Sequence, residues 1–185
     1  MAKFRVALVA LALGTLSACA AVAPANSPTL SQSAQERFSE RPGITVLTAA
    51  LNAPVQGQTV YVPVYSEIFD SDSNRAFQLT TTLSLRNTDR SQAIVVNVID
   101  YYNSGGDRVM TYLDQPIQLG PLASTEIVVD RTNLTGGVGA NFIVEWQSAA
   151  PVSDPIIEAV MISTASQQGM SFTSPGRVIT TFPPD

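Results

Sequence analysis

Hydrophobic and polar residues begin to alternate at Gln58 and keep that rhythm almost to the C-terminus. In "QLTTTLSLRN", Leu79, Thr81, Leu83 and Leu85 fall on one side and Gln78, Thr80, Thr82, Ser84 and Arg86 on the other. That is the period-two signature of a half-buried strand. "ANFIVEWQ" repeats it, with Phe142, Val144 and Trp146 against Asn141, Ile143 and Glu145. "AIVVNVIDYY", Ala93–Tyr102, is β-branched and aromatic throughout and suits a central strand. "NSGGD" at Asn103–Asp107 reads as a hairpin turn that returns the chain into "RVMTYLD". "TVYVPVY", "IQL", "TEIVVDR", "PIIEAVMIST" and short pieces around Met170–Phe172 and Arg177–Phe182 complete the series. No convincing long helix interrupts it. The pattern predicts an all-β domain over residues 58–182, an antiparallel sandwich of about seven to nine strands with Trp146 in its core.

The first 57 residues follow another rule. A short positive segment, Met1–Arg5, precedes an apolar run from Val6 to Leu16, and small residues follow. This is the layout of a secretory signal peptide. "LSAC", Leu16–Cys19, resembles the lipobox of bacterial lipoproteins, which implies cleavage after Ala18 and acylation of Cys19. Two plainer readings compete. Uncharged sequence from Val6 to Ser27 is long enough for an uncleaved membrane span, although Gly14, Thr15, Ser17 and Pro24 weaken it. Alternatively, Cys19 is a free thiol beside an ordinary cleavage site. Residues 1–18 are thus expected to be a lipoprotein signal peptide. Residues 19–57, rich in Ala, Ser, Pro, Gln and Asn, are expected to be a lipid-anchored flexible tether with an r.m.s. span of about 35 Å. A short helix around Ala34–Glu40 and a strand within Ile44–Leu51 fit the local sequence.

Two resemblances extend the reading. "IQLGPLASTEIVV" is similar to a strand junction common in secreted immunoglobulin-like modules, so the expected sandwich is immunoglobulin-like. More specifically, "YVPVYSEIF", "LTTTLSLRNTD", "VIDYYNSGGDRV", "GGVGANFIVEW", "PIIEAVMIST" and "QGMSFTSPGRVI" together resemble a family of bacterial lipoproteins, domain of unknown function 3124. The resemblance spans about Tyr61 to Ile179. It implies an exported lipoprotein module and brings no catalytic residues to carry over.

Composition narrows the chemistry. The chain has no His, a single Cys and a single Lys, Lys3, which leaves with the signal peptide. Eight Arg then face fifteen acidic residues, a net charge of −7. Such a surface repels phosphate backbones, which argues against nucleic acid. An acylated Cys19 is neither nucleophile nor metal ligand. Histidine triads, thiol nucleophiles, thiolate or imidazole zinc sites and lysine Schiff bases therefore drop out of the mature chain, and no cofactor is expected.

Three features retain chemical interest. "DSDSN" offers Asp70, Asp72 and Asn74 at the alternating spacing of a calcium loop. An EF-hand would need Gly where Arg75 stands and an acid where Thr81 stands, so a solvated turn is the plainer reading. "TGGVGAN", Thr135–Asn141, is followed by a strand and lacks a Lys, so it reads as a tight loop with positive-φ glycines and not as a phosphate cradle. Asp100, Glu145 and Glu158 lie on strands, where a buried carboxylate needs a partner; Arg86, Arg90 and Arg131 are candidates. Tyr101, Tyr102 and Tyr112 beside the 103–107 hairpin suit a contact patch, or simply one packed sheet face.

The functional expectation is a non-catalytic envelope lipoprotein. It is held to a membrane through Cys19, with its domain in the periplasm or at the cell surface, and binds a protein or glycan partner. The alternatives are a carboxylate-dependent hydrolase acting on envelope glycans and a calcium-dependent adhesion module using Asp70 and Asp72.

Overall fold

A computed structural model of the chain describes residue 36 and residues 38–69, 75–164 and 169–183. Its strands are β1 (Ile44–Val46), β2 (Gln56–Pro63), β3 (Glu67–Phe69), β4 (Ala76–Gln78), β5 (Thr80–Arg86), β6 (Ile94–Tyr102) and β7 (Arg108–Thr111). They continue with β8 (Ile117–Leu119), β9 (Ser124–Val129), β10 (Asn141–Ser148), β11 (Ile156–Ser163), β12 (Met170–Pro175) and β13 (Arg177–Phe182). One sheet runs β1-β8-β6-β10-β2-β13, with β7 beside β6; a second runs β12-β11-β5-β9, and β3-β4 stands apart as a hairpin. Every pairing is antiparallel.

Alternation puts one face of each sheet inside. Val60, Val62, Phe142, Val144 and Trp146 of the seven-stranded sheet meet Leu83, Leu85, Ile127, Val129, Ala159 and Met161 of the four-stranded one in a single core. Trp146 satisfies its indole N–H by donating to Gln58 Oε1 at 3.2 Å. β6 breaks the alternation because it carries a bulge. Val96 faces Trp146 and Val98 faces Glu145, which leaves Asn97 as the extra residue. The bulge turns Val96 inward on one side and Ile99 and Tyr101 inward on the other. That is why β6 reads as apolar on both parities.

The all-β antiparallel sandwich expected from the pattern is present. Its strands number thirteen among the described residues, against the seven to nine expected. The hairpin strands β3 and β4 are three residues each, too short to show a period. The domain also begins earlier than composition indicates. Phe38 and Ile44 are core residues, β1 pairs with β8, and Arg41 forms an ion pair with Glu126 at 2.9 Å. Residues 38–57 thus belong to the sandwich, not to a tether. The strand that fits Ile44–Leu51 is present as β1, whereas the two apolar anchors do not stand out among Pro, Gln and Asn. Arg41 also donates to the Glu126 carbonyl at 3.4 Å and to Thr125 Oγ1 at 2.9 Å, which covers part of the free edge of β9 against stray pairing.

The turn between β8 and β9 is built tightly. Ala123 N–H donates to Gly120 O at 3.0 Å, with Pro121 second and Leu122 third in the turn. Leu122 has φ 57°, where a type II turn favours glycine, and a leucine there costs about 1–2 kcal/mol. Buried Asn87 ties this turn to the end of β5. Its amide donates to Gln92 O at 2.8 Å, Leu119 O at 3.2 Å and Gly120 O at 2.9 Å.

Candidate functional site

Among the described residues, those singled out by sequence scatter. Cys19, Asp70, Asp72 and Asn74 lie outside the described residues. Tyr101 is a core residue, 1% exposed, so it cannot belong to a contact patch. Its inward direction follows from the bulge at Asn97. Its ring packs against Phe142 at 5.0 Å between centroids, its hydroxyl shares a 2.9 Å hydrogen bond with Ser66 Oγ, and burial pushes the phenol pKa up. Tyr112 packs on the same Phe142 at 6.0 Å. Tyr102 sits opposite Asn141 on the other face of the sheet. The three tyrosines therefore form no common surface.

The strand carboxylates separate as well. Asp100 is buried on the outer face of the seven-stranded sheet. It accepts from Arg108 Nη1 at 3.1 Å and from Thr111 Oγ1 at 2.8 Å. The hydrogen bond and the charge of Asp100 raise the Arg108 pKa further. Its partner is thus the hairpin arginine across the turn, and not Arg86, Arg90 or Arg131. Glu145 is exposed on the same face, diagonal to Asp100 because it faces Val98. Glu158 stands on the other sheet, between Ser84 and Pro175. The three do not converge.

The glycine-rich loop closes over this end of the core. Ser66 N–H donates to Gly137 O at 3.0 Å, and Ser104 N–H donates to Gly136 O at 2.9 Å. Gly139 N–H donates to Ser104 Oγ at 2.8 Å. A Cβ on Gly136 would collide with the Tyr101 hydroxyl and lie 2.6 Å from Ser66 Oγ. Close approach, and not anion binding, accounts for that glycine.

A concave feature lies elsewhere. β12 ends at Pro175 and the chain crosses from the four-stranded to the seven-stranded sheet at Gly176, whose N–H donates to Ile157 O at 2.8 Å. A Cβ there would sit 2.6 Å from both Ile157 O and Val60 Cγ1, so only glycine lets the strands pass so closely. Beside the crossing is a groove of about 280 Å³. Val60, Ile157 and Val178 supply apolar walls, and Asp154 and Glu158 line the same groove. Val178 faces Val60 across the pair, yet it stays 48% exposed because the four-stranded sheet does not reach under β13. Asp154 Oδ1 accepts from Gln56 Nε2 at 3.1 Å. Apolar walls with two carboxylates suit a ligand carrying an amine, a guanidinium or several hydroxyl donors. The sequence reading missed Asp154. Its only local signals are the two prolines, in Asp154-Pro155 and Pro175-Gly176, that break neighbouring strands. Among the described residues no group of three or more His, Cys, Asp or Glu could hold a metal ion.

The family described as "Protein of unknown function (DUF3124)" matches residues 57–179, from the first residues of β2 into β13 and across the groove. The chain belongs to this family. A comparison with curated proteins finds no match. Among solved structures, the crystal structure of Thermotoga maritima 1070 is similar at 11% identity, covering 69% of this chain and 96% of its own, with a TM-score of 0.39. A likeness that weak carries no argument about fold or activity.

Proposed function

We propose that this chain is an envelope lipoprotein, held to a membrane by acyl chains on Cys19, whose β-sandwich is a non-catalytic binding module for a protein or glycan partner. The groove beside Gly176 is the observation that supports this reading. It combines uncovered apolar surface at Val178 with hydrogen-bond acceptors at Asp154 and Glu158. The buried strand carboxylate Asp100 is meanwhile engaged by Arg108 and Thr111, which leaves it poorly placed for acid–base work. The signal segment supports the location, and Cys19→Ser should abolish labelling by a fatty-acid probe. Undiminished labelling would refute the anchor.

The binding role is tested by placing a photo-crosslinking residue at position 178 in cells, with position 128 on the outer face of β9 as control. A discrete adduct at 178 that is absent at 128, and is lost in Glu158→Gln with Asp154→Asn, is the expected result. Equal or absent adducts at both positions would contradict the groove. One observation also favours a second reading, a carboxylate-dependent hydrolase of envelope glycans: Asp154 and Glu158 share the groove, as a general acid and its partner must. Release of soluble fragments from purified cell-wall glycan by the full chain, abolished in Glu158→Gln, would establish that reading over the first.

A further inference from the structure

Leu122 is 64% exposed, the most exposed of the large apolar side chains among the described residues. Its backbone adopts a conformation that leucine disfavours. The turn needs that backbone conformation but not a leucine to supply it, and it presents the side chain outward. The turn that carries it cannot relax inward. Gly120 N–H donates to Gly43 O at 2.9 Å, Leu122 N–H to Asp89 O at 3.0 Å, and the Asn87 amide holds Gly120 O.

The N-terminal segment joins the domain at this same place. Phe38 is in the core, and a Cβ on Gly43 would lie 3.0 Å from the Ala123 Cβ, so the incoming chain packs directly on the turn. Cys19 precedes Phe38 by 19 residues, a reach of at most about 68 Å. The pairing registers bring more apolar residues to this end of the sandwich. Val55 leads into β2 and Phe182 closes β13, at 48% and 44% exposure. The Asp89 carboxylate, also at this end, is occupied by the backbone N–H groups of Ser91, Gln92 and Ser153.

We infer that the Leu122 end of the sandwich docks on the lipid bilayer, with Leu122 inserted among the headgroups. This rests on the reading of Cys19 as the lipid anchor. The anchor makes docking intramolecular, so a small apolar contact is enough to populate it. The chain's net acidity disfavours an anionic surface, which leaves a zwitterionic one as the better match. The opposite end, with the 103–107 hairpin, then points away from the membrane.

The test uses the full lipidated chain in phosphatidylcholine nanodiscs. An environment-sensitive fluorophore is placed at Leu122→Cys or, as control, at Val128→Cys, and mass spectrometry of the same sample reports acylation of Cys19. Quenching by spin-labelled lipid should be at least about threefold stronger at 122 than at 128, and weaker in discs rich in phosphatidylglycerol. With the fluorophore at Val55→Cys, the further change Leu122→Gly should reduce quenching; glycine suits the backbone there, so the fold is retained. Equal quenching at 122 and 128 in acylated protein would overturn the inference while leaving the anchor intact. Protection of position 122 only in native membranes, not in protein-free lipid, would replace the bilayer by a protein occupant and so overturn it too. Absence of acyl chains on Cys19 would overturn the anchor, and this docking with it.

Discussion

Gly136→Ala separates backbone preference from packing. Gly136 has φ −75° and ψ −40°, a helical conformation that alanine adopts freely. Backbone entropy alone would therefore make the substitution stabilising by about 0.4–1 kcal/mol. Packing opposes it. The new methyl would overlap the Tyr101 hydroxyl and approach Ser66 Oγ to 2.6 Å and Ala140 Cβ to 2.8 Å. Tyr101 is held against Phe142 and Ser66 is itself buried, so neither can swing away into solvent. Overpacking of this kind costs about 1–3 kcal/mol, and a broken Tyr101–Ser66 hydrogen bond adds about 1 kcal/mol. The net expectation is a loss of about 2–3 kcal/mol. Tyr101→Phe alone should cost about 1 kcal/mol, but it removes the atom that the methyl meets first. In the Tyr101→Phe background the cost of Gly136→Ala should fall to about 1 kcal/mol, a coupling of about 1–2 kcal/mol. That lies well outside the ~0.5 kcal/mol expected of independent sites. Urea unfolding followed by Trp146, the chain's single tryptophan, measures all four corners of the cycle. A neutral Gly136→Ala, or additive corners, would refute the packing argument.

Three further outcomes follow from polar groups. Asn87→Asp keeps the shape but replaces the amide donor shared by three carbonyls with a buried negative charge; it should cost about 3 kcal/mol, read as a lower urea midpoint at pH 7. Backbone hydrogen bonds from Ser91, Gln92 and Ser153 hold the Asp89 pKa at about 2, below its ordinary 3.8. The folded pKa is depressed, so the contribution is complete above pH 3.8 and disappears as pH falls through about 2. The stability gap between wild type and Asp89→Asn should close over that window, and a gap that stays constant to pH 2 would contradict the assignment. Arg108→Gln should cost less than about 1 kcal/mol, because the Arg108 side chain is 58% exposed and its charge is screened. Asp100 also keeps its Thr111 partner, so a loss of several kcal/mol on thermal unfolding would show a stronger bridge than the geometry allows.

The strands β5, β9 and β10 were legible because alternation is local. Each side chain's face depends only on its parity within the strand, and Leu83, Ile127 and Trp146 are buried as that parity requires. β6 was legible as a central strand, but the faces of its side chains were not, since one bulged residue at Asn97 reverses parity midway. The N-terminal boundary resisted for another reason: Phe38 and Ile44 lie in the core, Ile44 opposite Leu119 of β8 and Gly43 bonded to the turn at Gly120, and short-range composition carries no trace of such distant partners. Tyr101 and Tyr102 look equivalent in sequence. Only the sheet decides that one fills the core and the other faces away.

By itself, the sequence determined the all-β class, the main strands, the shortage of catalytic groups and the family, because these depend on residue type and spacing along the chain. Tertiary structure alone decided that Asp154 and Glu158 line one groove, and that Arg108 is the partner of Asp100. It also decided that Leu122 stands out where the N-terminal segment enters. The physical reason is that residues far apart in sequence meet only through strand pairing and sheet packing. The β6–β7 pairing sets Arg108 beside Asp100, and where the four-stranded sheet stops, β13 overhangs and Val178 is left uncovered.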